Sequence, residues 1–197
     1  MKVLTLQQRL NTPPSALRDP QLLSNRGIGN EIGFYIFDYD SECEPVVQQY
    51  LPKLIAKLCQ SPNPLKVVEI NLYNLLLNIL MERNLLQKVF DLEASQGSRS
   101  LKSRVAPMVR SEQMVAQIQK QLVEEYDLVL LTGVGASYPL VRSYTILNNL
   151  HPVLDRSPVV MFFPGSYDGH ELRLFNALTD DNYYRAFPII SRQERSL

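Results

Sequence analysis

The chain has 197 residues, 45% of them hydrophobic, and its 20 Lys and Arg balance its 20 Asp and Glu. That length can bury a real core and is short for two full domains, so a single domain over 1–197 is expected. Zero net charge excludes the broad positive field that draws nucleic acid or an anionic membrane, and leaves room only for a local basic patch. The longest apolar runs, LVLL and VVMFF, are strand-length, far below the roughly 20 residues a membrane-spanning helix requires. The opening MKVLTLQQRLNTPPSALRD lacks the continuous apolar stretch of a signal peptide. A soluble, cytoplasmic protein is the expectation.

In chain order, Leu4, Leu6 and Leu10 predict a short amphipathic helix that stops before Pro13-Pro14, within a helical arm and linker over 1–30. FYIFDY (34–39), aromatic and β-branched after a Gly-rich stretch, predicts the first buried strand. Val46, Val47, Tyr50, Leu51, Leu54, Ile55 and Leu58 then recur at helical spacing, with Pro52 predicting a kink or restart. KVVEINLY (66–73) predicts the second strand, and the apolar face running from Leu75 to Phe90 a helix that packs on a sheet. SQGSRSLKSR breaks that pattern, which predicts a mobile loop or a helix break, with the loop placed over 95–110. A helix from Ser111 to about Glu125 leads into YDLVLLTGVGAS (126–137), a strand running into a Gly-rich turn. Pro139 suits the first turn of a helix over 139–150, and SPVVMFFPG (157–165) supplies a fourth strand. A turn at Asp168-Gly169, an edge strand near 171–175 and a last strand near 184–190 complete the pattern. The order β-α-β-α-β-α-β predicts a three-layer α/β domain: a central, mostly parallel sheet with helices on both faces.

In such sheets ligands gather where strands end and helices begin, which singles out the turn at 132–137 with Gly133, Gly135 and Ser137. Converging backbone N–H groups there suit an anion. Neither the phosphate-loop pattern nor the three-glycine dinucleotide pattern is present, however, and a tight strand-to-helix turn accounts for the same glycines. No Gly-x-Ser-x-Gly elbow occurs, and His151 and His170 lack partners at ligand spacing. Asp38 and Asp40 are placed to cap the following helix rather than to hold a metal. Cys43 and Cys59, sixteen residues apart along one predicted helix, are expected as free thiols. No cofactor and no metal are expected. Arg142, Asn148 and Asn149 on the helix after the turn, with Arg173, Tyr184 and Arg185 near the C-terminal strands, complete the candidate surface for a ligand or partner. Guanidinium and amide groups hold carboxylates and carbonyls well but are poor nucleophiles and bases, so this set points to binding.

The blocks GIGNEIGFYIFDYD, LVLLTGVGASYPLVRSYTILNNLHPVL, PVVMFFPGSYDGHELRLF and DNYYRAF, in this order, resemble the BrxB family of BREX bacteriophage-exclusion systems over nearly the whole chain. The resemblance implies a component of a multi-protein complex that protects host DNA and blocks phage replication. Its implied neighbours are PglZ, which is alkaline-phosphatase-like, a large ATPase and a DNA methyltransferase. No catalytic residue set comes with it. The expected role is therefore a non-enzymatic adaptor that binds other BREX proteins such as PglZ. The alternative is a degenerate nucleotide- or nucleic-acid-binding domain using the turn at 132–137. Direct nucleic-acid binding is disfavoured by the neutral charge, and a homodimer is compatible with either role.

Overall fold

The computed structural model describes residues 4–24, 33–60, 62–122, 124–142, 147, 149, 157–179 and 186–192. Four strands lie parallel at its centre: β1 (Phe34–Tyr39), β2 (Val67–Asn71), β3 (Leu128–Thr132) and β4 (Val159–Tyr167). With the short β7 (Ala186–Pro188), also parallel to β1, they follow the order β2-β3-β4-β1-β7. β5 (Leu172–Leu174) runs antiparallel along the end of β4, and β6 (Leu178–Thr179) antiparallel along β5. The expected α/β class and mostly parallel sheet are therefore present.

Strand side chains alternate between two faces, and here both faces are buried. Val129, Leu131, Val159, Met161 and Phe163 enter one core, while Leu128, Leu130, Val160 and Phe162 enter the other. The second core is closed by α4 (Glu44–Leu58) through Val47, Leu51, Leu54 and Leu58, and by α1 (Leu6–Leu10), α2 (Pro13–Ala16) and α3 (Pro20–Leu23). Leu10, Leu17 and Leu22 are buried there, so the helical part of the expected arm belongs to the core. Arg18 fixes it further, because its guanidinium donates to the carbonyls of Lys57 and Leu58, both at 3.0 Å, at the negative end of α4. The other face is covered by α5 (Leu72–Glu82), α6 (Leu86–Gln96), α7 (Arg99–Val105) and α8 (Ser111–Gln121). Among the described residues no helix is long and apolar enough to cross a membrane.

Three local expectations are corrected. α4 runs unbroken through Pro52, which is exposed, while Leu51 and Leu54 on either side are buried and hold the helix against the sheet. The stretch 95–110 is mostly helix, and of the two expected alternatives the helix break is the one present: Gly97, at φ +75°, and Ser98 separate α6 from α7, and the helical path ends after a 3-10 turn at 106–108. Leu101 and Val105, four residues apart, pack on the core, an apolar spacing that the surrounding Ser and basic residues concealed. Pro139 does not open a helix. The helical turn comes earlier, as α9 (Val134–Ser137), and Pro139 follows its cap residue Tyr138, whose backbone is extended as a residue before proline prefers. Cys43 and Cys59, at the two ends of α4, are free thiols.

Candidate functional site

The helices change faces around β2: α4, which precedes it, lies on one side of the sheet and α5, which follows it, on the other. Outside the carboxyl ends of β2 and β3 this leaves a cleft of about 440 Å³, lined among others by Gln48, Glu69, Asn71, Tyr73 and Gly133. It occupies the position where open parallel sheets hold ligands, and Gly133 of the expected turn forms part of its wall.

The chemistry of this wall differs from that of a phosphate cradle. Asn71 caps α5, and its side-chain Oδ1 accepts from the backbone N–H groups of Tyr73 and Asn74, both at 3.1 Å. The donors an anion would seek at that helix start are thus occupied. Glu69 lines the same cleft, accepting from the Thr132 hydroxyl at 2.7 Å, and its carboxylate opposes a second negative charge. Gly133 is explained by packing: at φ +69° it adopts the left-handed conformation, and a Cβ there would stand 2.3 Å from Asn71 Oδ1. Gly135 likewise gives way to neighbours, since a Cβ would meet Pro164 at 2.9 Å and the Phe175 ring at 3.2 Å.

Among the described residues, the other expected site residues do not gather at this cleft. Ser137 is buried and donates to the Val134 carbonyl at 2.9 Å, closing its own helical turn. Arg142 is exposed and lines a separate cleft with Lys102 and Ser111. Arg173 projects from β5 and pairs with Glu171 at 2.8 Å. Asn149 is helical and exposed, and most of the rest of the helix expected over 139–150 lies outside the described residues. Asn148, His151, Tyr184 and Arg185 lie outside the described residues. His170 is exposed, and its backbone N–H donates to Asp168 Oδ1 at 2.8 Å.

A network of charges at the end of β1 was not anticipated. Asp38 was expected to cap the next helix; instead it is buried in the strand and accepts from two arginines, Arg9 at 2.8 Å and Arg192 at 2.6 Å. Arg9 also donates to the carbonyls of Asp38 at 2.6 Å and Ile190 at 3.0 Å, and its guanidinium lies over the Phe37 ring. Arg192 bridges Asp38, Asp40 at 2.8 Å and the Gly165 carbonyl at 2.6 Å. Asp40 holds the cap position of the 3-10 turn at 41–43 without a side-chain cap bond, so its partner is Arg192 and not the helix. That hydrogen bond and the charge behind it hold the Asp40 carboxyl below the usual range, although its partial burial acts the other way. Burial lowers the pKa of Arg9, against the pull of Asp38. One signal in the sequence pointed here: an acid inside the apolar run FYIFDY, which demands a counter-charge once buried. Nothing local marked Arg9 or Arg192. Chemically the network fastens the first helix and the C-terminal segment to the middle of the sheet.

Fold and site together define a doubly covered parallel α/β domain whose carboxyl edge is closed by side-chain caps and ion pairs. The family model "BREX protein BrxB" matches residues 68–189. A BREX protein BrxB of Bacillus cereus (strain H3081.97) is 42% identical over 190 residues, covering 95% of this chain and 98% of the relative. A BREX protein BrxB of Escherichia coli O9:H4 (strain HS) is 34% identical over 186 residues, covering 94% and 92%. No solved structure gives a significant match. The chain belongs to the BrxB family and is thus a component of a BREX phage-defence system.

Proposed function

We propose that the chain serves its BREX system by docking other components, PglZ first among them, rather than by turning over a substrate. The observation that carries this reading is the β5–β6 hairpin at the carboxyl edge. Phe175 and Asn176 at its tip both adopt positive φ, +56° and +58°, a conformation that costs a bulky side chain on the order of 1–2 kcal/mol. Phe175 is held there by an edge-on contact with Tyr138 at 5.9 Å and by its N–H, which donates to the Pro164 carbonyl at 2.8 Å. It nevertheless remains 36% exposed, beside Leu178 at 39%. Strain that holds an aromatic residue partly in water is a feature of recognition surfaces, and aromatic anchors dominate protein interfaces. The occupied donors and the Glu69 carboxylate of the neighbouring cleft favour the same reading over anion chemistry.

Co-expression of the tagged chain with PglZ, followed by size-exclusion chromatography, tests the proposal. A complex is expected, and a Phe175→Ser/Leu178→Ser variant of unchanged thermal stability should lose it. Recovery of the chain alone at native expression levels overturns the reading. So does turnover of nucleotides or phosphodiesters by the purified wild type.

A further inference from the structure

The zero net charge conceals a segregated distribution. Residues 94–111 carry four cations, Arg99, Lys102, Arg104 and Arg110, and no carboxylate, so the rest of the chain is net acidic. The fold turns this run into a surface: Leu101 and Val105 pack inward, and all four cations are exposed. None of the four takes part in an ion pair among the described residues. Lys102 also lines a cleft of about 220 Å³ that it shares with Arg142, from the turn after α9, and with Ser111, the first residue of α8.

Two cationic side chains and a hydroxyl around one cleft match a tetrahedral oxyanion. The positive end of the eleven-residue α8 adds to the field, although the exposed Glu112 in its first turn offsets part of it. One anion does not use the whole surface, because Arg99, Arg104 and Arg110 are not among the residues that line the cleft. Arg99 and Arg104 lie on α7 and Arg110 at the cap position before α8, and cations spread beyond a single-anion cleft in this way suit a polymer of phosphates. Among the described residues no aromatic side chain lines this cleft, so it offers no platform for unstacked bases, which favours a duplex over a single strand. We infer that the α7 face, with the cleft of Lys102, Ser111 and Arg142, binds the phosphate backbone of a nucleic-acid duplex without reading its sequence. This surface is distinct from the β5–β6 hairpin, so the inference does not depend on the docking reading.

Fluorescence anisotropy of a labelled DNA duplex of arbitrary sequence, titrated with the full chain between 50 and 200 mM salt, tests it. Engagement of about four phosphates predicts a dissociation constant of about 10⁻⁴–10⁻⁶ M and a slope of log K against log salt of about −4. Arg99→Glu/Lys102→Glu, which reverses two exposed charges with no ion-pair partner, should weaken binding at least tenfold at unchanged thermal stability. Where that variant proves unstable, Lys102→Gln should still weaken binding and flatten the slope by about one. No anisotropy change with about 100 µM protein at 50 mM salt overturns the inference. Equal binding by a well-folded variant, or tighter binding to a single strand than to the duplex, also overturns it. A charge-reversed protein that loses PglZ, when wild type never binds DNA, assigns the patch to an acidic protein surface instead and refutes the duplex.

Discussion

Replacing Asp38 with Ala tests the network at the end of β1. The side chains of Arg9 and Asp38 are only 3% and 5% exposed, so the substitution leaves a buried guanidinium without its carboxylate. Two of the three acceptors of Arg9 are backbone carbonyls, which cannot supply the missing charge. Breaking a buried pair in this way costs about 3–5 kcal/mol. For a domain of this size each kcal/mol lowers Tm by roughly 2–4 °C, so the variant should melt roughly 6–20 °C below wild type. Arg192→Gln should cost clearly less, because Arg192 is about one-third exposed and Asp38 keeps Arg9. The double replacement Arg9→Met/Asp38→Leu removes both buried charges and should recover most of the loss, since apolar pairs of similar volume substitute well for buried ion pairs. Calorimetry and urea unfolding of the four proteins provide the measurement. A single Asp38→Ala shift below about 2 °C would refute the argument that this pair is desolvated and structurally essential.

Gly133→Ala combines a left-handed backbone with a Cβ that collides with the cap residue Asn71, so about 1–2 kcal/mol of strain adds to about 1 kcal/mol of lost capping. Urea unfolding should show a loss of about 2–3 kcal/mol, and a neutral result would contradict the packing account of this turn. Asp40 titrates lower in the folded chain than in the unfolded one, so its contribution is present above about pH 4 and disappears as pH falls through the folded value. Asp40→Asn should therefore narrow the stability gap between pH 7 and pH 3, with little change at pH 3 itself; an unchanged gap in urea midpoints would contradict the Arg192 partnership.

The strands were legible because their signal is local. FYIFDY, LVLLT and VVMFF are short, apolar and β-branched or aromatic, and burial on both faces keeps such runs continuous. Helix boundaries were harder wherever composition and packing disagreed. Around Leu101 and Val105, two apolar residues one turn apart decide that α7 forms, yet they sit among Ser, Lys and Arg that weight any composition-based reading toward loop. At Pro52 the balance was reversed: one residue argued for a break, and four buried side chains along α4 kept the helix continuous. The ion-pair network was out of reach because Asp38 finds its partners 29 and 154 residues away, a separation at which periodicity carries no information.

The same contrast between local and summed information bears on function. Glycines in a strand-to-helix turn mark close backbone approach, and sequence alone does not say whether the approaching group is a ligand or another part of the protein. At Gly133 it is Asn71, and this one contact both explains the glycine and occupies the donors of α5 that a phosphate would have used. Net charge misleads in the opposite direction, because balance over 197 residues says nothing about how the charges are divided. Coulomb interactions in salt fade within roughly 10 Å, so an approaching polyanion responds to the cations of α7 and not to carboxylates on the far side of the domain. An anion is thus disfavoured at the Gly-rich edge that resembled a phosphate site and favoured on the face that composition had marked as a loop.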